Sequence, residues 1–144
     1  MYWLSFKRKG GLTMITEDYV SFKVAKLLKE KGFDVPTHTF YNPKKSHLLK
    51  FDPCLINRNA GVQVSAPTHQ MVMKWLREVH KIIITIDFDK YELTSDNKKV
   101  GYGWNIQKIE NPTEYFKISI MVYDTYEETC EEAIKYCLEN LVTN

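Results

Sequence analysis

The sequence predicts a single α+β domain in which an antiparallel sheet of three to five strands packs in two layers against three helices. Two observations carry that expectation. Three segments repeat their apolar residues at helical spacing and begin on capping residues. Between the second and third of them, the apolar period drops from 3.6 to 2 over three successive segments. The connections between those segments are short, so an antiparallel meander is the simplest topology. The length of 144 residues is that of one domain.

The chain opens Met1-Tyr-Trp-Leu-Ser-Phe-Lys-Arg-Lys, whose charges follow the apolar stretch instead of preceding it, unlike a signal peptide. Met14 stands just ahead of the first helical signal, so residues 1–13 read as an extension and 14–144 as the domain. Thr16 is a natural N-cap with Glu17 and Asp18 in the first turn, where the helix dipole favours negative charge. Val20, Val24, Leu27 and Leu28 follow at helical spacing, Gly32 supplies a left-handed C-terminal stop, and Phe33 a hydrophobic contact beyond it. From Val35 to Ala66 the pattern is weak. Thr37–Tyr41 and His47–Phe51 suggest a short hairpin around Asn42-Pro43-Lys44-Lys45, with loops at Asp52-Pro53 and Asn57–Gly61.

Thr68 caps the second helix after Ala66-Pro67, and Val72, Trp75, Leu76 and Val79 form its apolar stripe. Ile82, Ile84, Ile86 and Phe88 then alternate with Ile83, Thr85, Asp87 and Asp89 in a half-buried strand that Tyr91–Leu93 extends. After a polar turn at Ser95-Asp96-Asn97-Lys98, Tyr102, Trp104 and Ile106 alternate with Gly101, Gly103, Asn105 and Gln107. Beyond the Asn111-Pro112 turn, Phe116, Ile118, Ile120 and Val122 form the apolar face of a further strand. Thr125-Tyr-Glu-Glu128 is a capping box opening the third helix, whose buried face runs through Cys130, Ala133, Ile134, Cys137, Leu138 and Leu141.

Composition excludes several classes. A formal charge of +2 is too small for a protein that reads duplex nucleic acid. The charge is unevenly spread, with basic residues at Lys7–Lys9 and in the middle loops, and Glu127, Glu128, Glu131, Glu132 and Glu139 on the third helix. Three cysteines, with no close pair, fit a reducing compartment such as the cytoplasm. No apolar run reaches the length of a membrane span.

No metal or cofactor signature emerges. His69 and His80 lie eleven residues apart, about 16 Å along a helix, too far for one ion. Cys54 has none of the partner spacing of a zinc site. No catalytic residues are assigned: Cys54 with His38 or His47 lacks a nucleophile elbow, and Asp87 and Asp89 with Glu92 sit where solvated acids are expected. The most unusual local feature is Gly101-Tyr102-Gly103-Trp104, because glycines on one face of a strand weaken it unless something lies close over them. A bulge or a packed ring of the protein itself accounts for the glycines. So does a flat platform for a planar ligand, with Tyr102 and Trp104 at its edge, Tyr41 as a further ring, and Lys44, Lys45 and Arg58 supplying charge for phosphates. An alternative surface is Met73 with Arg77, off the apolar stripe of the second helix and of the residue types enriched at protein interfaces.

Three segments bear a resemblance: Met14-Ile-Thr-Glu-Asp-Tyr-Val-Ser-Phe22, Pro67-Thr-His-Gln-Met-Val-Met-Lys-Trp-Leu-Arg-Glu-Val-His80 and Glu127-Glu-Thr-Cys-Glu-Glu-Ala-Ile-Lys-Tyr-Cys-Leu-Glu-Asn140. Together they resemble a family of small proteins from gut bacterial genomes and their phages. The resemblance covers Met14 to the C-terminus in patches and brings no catalytic residues with it. It implies a phage or mobile-element setting in the host cytoplasm. The expected function is a non-enzymatic, homo-oligomeric binding protein that sequesters a nucleotide-like host immune signal. The alternative is a module that docks on and inhibits a host defence protein.

Overall fold

The computed structural model describes residues 4–8, 11–44, 46–93, 98–114 and 116–143, of which 4–8, 11–15, 46, 89–93 and 98 are described by their backbone. The side chains of Lys7, Arg8, Asp89 and Glu92, together with Lys9, Lys45 and residues 94–97, where most of the expected Ser95–Lys98 turn falls, lie outside the described residues.

The α+β class is as the sequence predicts, with the described strands divided among two antiparallel three-stranded sheets and a two-stranded one. Within and just beyond residues 1–13, expected to be an extension ahead of the domain, strand β1 (Leu4–Arg8) pairs antiparallel with β2 (Gly11–Ile15). Helix α1 (Phe22–Glu30) follows, then β3 (Thr37–Asn42) and β4 (Ser46–Ile56), a 3-10 turn at Arg58–Ala60, and β5 (Val64–Ser65). Helix α2 (His69–Val79) leads into β6 (Ile82–Leu93), β7 (Lys98–Lys108) and β8 (Phe116–Ile118), and α3 (Tyr126–Asn140) closes the fold. The first sheet has the order β4-β3-β5 and the second β6-β7-β8. The expected middle hairpin is present, but β4 continues through Asp52-Pro53 instead of looping there.

Helix α1 starts later than its local signals suggest. Ser21, not Thr16, is the N-cap, its hydroxyl accepting from the Val24 amide at 3.2 Å. Residues 17–20 are extended because their backbone is paired with the start of α2: Val20 N donates to Pro67 O, His69 N donates to Asp18 O (both 3.0 Å), and Tyr19 bridges Thr68. A long-range pairing that satisfies buried amides overrides a serviceable cap. The C-terminal stop behaves as predicted. Gly32 adopts φ +84°, Phe33 N donates back to Leu28 O at 2.9 Å, and Phe33 is buried.

Thr68 and Thr125 cap α2 and α3, accepting from Met71 N at 3.2 Å and Glu128 N at 3.1 Å. Both helices pack on one face of the second sheet, where Ile82, Ile84, Trp104 and Ile106 meet Val72, Leu76, Ile134 and Leu138. The α2 stripe ends early: Val72, Trp75 and Leu76 are buried, whereas Val79 is exposed. Cys130 and Cys137 lie in the core as their spacing predicts.

Strand β8 departs most from expectation. Of Phe116, Ile118, Ile120 and Val122, only Val122 is buried. Regular pairing stops at Ile118. The chain bends at Ile120 and returns so that Tyr123 bridges Tyr102, with Tyr102 N donating to Tyr123 O at 2.9 Å and Tyr123 N to Tyr102 O at 2.8 Å. This return explains Gly101, at which a Cβ would stand 2.5 Å from the Tyr123 carbonyl oxygen. Replacing Gly101 with alanine is expected to cost about 1–3 kcal/mol, because the obstacle is backbone and cannot swing aside. Thermal unfolding checks this, and an unchanged melting temperature would contradict the close approach.

Candidate functional site

The residues expected to hold a planar, phosphorylated ligand do not form one surface. Gly101 lies under the Tyr123 carbonyl, and Gly103 is buried. Trp104 is 6% exposed, its ring packed 5.1 Å from that of Tyr136 and its amide donating to Ser119 Oγ at 3.1 Å. The strip is therefore closed by the protein's own chain, and Trp104 is a core residue. Tyr41 and Arg58 belong to the region of the other sheet. Tyr41 is buried and donates its hydroxyl to Val20 O at 2.6 Å. The buried Arg58 guanidinium donates to Cys54 O at 2.8 Å, lies 4.8 Å over the Phe40 ring and stands 3.7 Å from Asp52. It is a structural cation, already neutralised. Lys44 is exposed on the β3–β4 turn, and Lys45 lies outside the described residues. Of this set only Tyr102 lies near a concave surface, its ring 6.2 Å from that of Tyr126.

The alternative pair is also divided. Arg77 is exposed, but Met73 packs against the core instead of standing free. Among the other candidates, His47 stacks on Phe22 at 3.9 Å, while His38 Nδ1 approaches Asp52 O at 3.2 Å.

A concave feature among the described residues lies elsewhere. Three stretches converge on a cleft of about 240 Å³: Glu17 and Asp18 ahead of α1, Thr68, His69 and Gln70 at the start of α2, and Tyr126 and Glu127 at the start of α3. The backbone pairing that keeps residues 17–20 extended is what delivers Glu17 and Asp18 there. Beneath the cleft, His69 is buried and its Nε2 lies 2.7 Å from Glu131 Oε2; the other oxygen of Glu131 accepts from Ser21 N at 2.9 Å. Glu131 thus ties the starts of α1 and α2 to α3. Burial alone would raise its pKa, but the hydrogen bonds from His69 and Ser21 outweigh that and hold the carboxyl below its ordinary value. On the rim, Gln70 Nε2 donates to the Tyr126 hydroxyl at 3.3 Å. From Tyr126 a row of rings leads away across the sheet, Tyr102 at 6.2 Å and then Phe88 at 5.0 Å from Tyr102, with Phe88 well exposed.

The electrostatics of the cleft decide what it can hold. Two helix N-termini contribute roughly half a positive charge each. Three carboxylates, Glu17, Asp18 and Glu127, line the same space, and among the described residues no lysine or arginine does. The balance is negative, so phosphate is disfavoured and a cation favoured. A tyrosine ring on the rim adds a face suited to an ammonium or guanidinium group. The volume falls below the roughly 300–1,000 Å³ of pockets that enclose drug-sized ligands, and suits a side-chain head group better than a nucleotide. Nucleophilic chemistry has no agent here. The nearby Cys130 thiol is pushed up to about 11, chiefly by burial, and stays protonated. Among the described residues no group of three or more His, Cys, Asp or Glu side chains is placed to hold a metal ion.

Each member of the cleft had a sufficient local explanation in the sequence. Glu17 and Asp18 looked like first-turn acids of α1, Glu127 like part of a capping box, and His69 like an isolated histidine. Only the pairing of residues 18–20 with 67–69 brings them together, and no periodicity encodes it. No protein-family model, curated protein or solved structure matches the chain. No helix among the described residues is long and apolar enough to cross a membrane.

Proposed function

We propose that this chain is a non-enzymatic binding protein that docks on a partner protein, and that the cleft between the starts of α2 and α3 receives a lysine or arginine side chain of that partner. The observation carrying this is the cleft lining itself: three carboxylates and a tyrosine ring around a space of about 240 Å³, with no lysine or arginine among the described lining residues. The exposed Phe88 and the half-buried Tyr102, in the row of rings that leads from Tyr126, supply apolar contact for the residues flanking such a side chain. The resemblance to proteins of gut bacterial genomes and their phages makes a host factor the expected partner. Sequestration of a nucleotide-derived signal has less support, because Trp104 and Tyr41 are buried on different sheets and Arg58 is buried and paired with Asp52.

Calorimetry with short acetylated, amidated peptides tests the proposal. Peptides carrying arginine or lysine are expected to bind, more weakly as salt rises, and the Glu17→Gln, Glu127→Gln double variant to lose at least tenfold in affinity. Glutamate-bearing peptides, cyclic nucleotides and ADP-ribose derivatives are expected to give no signal. Binding of a nucleotide, with basic peptides silent, would sink it.

A further inference from the structure

We propose that two copies of this chain pair through the free edge of β8, about a two-fold axis at Ile118, and so extend the β6-β7-β8 sheet into six strands. Among the described residues strand β8 is the last in its sheet and pairs on one side, with β7. Ser119 N donates to Trp104 O at 2.9 Å, so Ser119 directs its main-chain groups toward β7. By the alternation of an antiparallel ladder Lys117 does the same, and Phe116 and Ile118 direct theirs outward. An outward row of amides and carbonyls is a template for another strand. Because antiparallel pairing about a two-fold axis is self-complementary, an identical strand can satisfy it.

The side chains on this edge are apolar and uncovered: Phe116 is 52% exposed, Ile118 41%, Ile120 87% and Met121 56%. Register places Phe116 opposite Gln107 and Ile118 opposite Asn105, on the face of the sheet away from Trp104, Ile106 and the helices. Charge permits the pairing. From Phe116 to Tyr123 the only charged residue is Lys117, and its ammonium lies 6.0 Å over its own Tyr136 ring. A two-fold axis at Ile118 sets Lys117 against the partner's Ser119 and Phe116 against the partner's Ile120, so no like charges face each other. The area sets the strength. Four partly exposed side chains at roughly 50–100 Å² each, from both copies and with the strand backbone added, bury roughly 600–1,000 Å². That is the low end for a specific interface, so a weak, reversible dimer follows.

Sedimentation velocity on the full chain, from micromolar to near-millimolar concentration, is expected to show the weight-average mass rising from one copy toward two. Ile120→Lys and Ile118→Lys are each expected to hold the protein monomeric throughout, with an unchanged circular dichroism spectrum. Ile120→Lys cannot act by unfolding, since its side chain already stands in water. Cleft variants at Glu17 and Glu127 are expected to leave the dimer intact, which separates this proposal from the docking function. A wild-type chain monomeric at the highest concentration, or a dimer that survives both lysine substitutions, would overturn it.

Discussion

Trp104→Ala is expected to cost about 3–5 kcal/mol, the range for truncating a buried aromatic. That is a large part of the roughly 5–15 kcal/mol that holds a domain of this size together. The ring packs against Tyr136 on α3, and its strand neighbours Ile106 and Ile84 join the same core, so truncation leaves a cavity between sheet and helix that backbone cannot refill. Chemical denaturation should show a strongly lowered midpoint with an unchanged slope. If Trp104 instead edged an open platform, the variant would keep nearly full stability and lose only ligand binding. The two outcomes differ by several kcal/mol, and one experiment separates them.

Glu131→Ala is expected to cost about 2–3 kcal/mol, because it strands both the His69 ring nitrogen and the Ser21 amide. Glu131→Gln keeps an acceptor for one of them and should cost less. The carboxyl has a further signature in pH. Its folded pKa is depressed, so its contribution is complete above the ordinary value of 4.5 and is lost as pH falls through the lower folded value. Stability measured from neutral pH downward should therefore fall more steeply below about pH 4.5 in the wild type than in Glu131→Gln. Equal acid slopes would mean that the carboxylate is not engaged as described.

The parts of the fold that the sequence revealed are those governed by local chemistry. The caps Thr68 and Thr125, the left-handed Gly32 and the alternation through β6 and β7 each act over a few residues, and each is found where its pattern puts it. The misplaced features involve distant partners. Thr16 has good capping chemistry, but residues 18–20 find better hydrogen bonds at 67–69. Phe116, Ile118 and Ile120 alternate like a core strand, yet the chain bends away after them and leaves their face in water. An alternating pattern states that two faces differ; it does not state which is covered. The glycines at 101 and 103 signalled that something lies close, and at Gly101 that something is the Tyr123 backbone. The cleft was the least visible feature, since it is assembled from three stretches that each satisfy an ordinary helix-start rule.

The most direct measurement is an amide-resolved NMR titration of the protein with a short acetylated peptide carrying one arginine between small neutral residues. Shifts concentrated at Thr68, Gln70, Tyr126 and Glu127, and abolished by the Glu17→Gln, Glu127→Gln double substitution, are the predicted result. Perturbations confined to another face, or unaltered by neutralising the two carboxylates, would contradict it.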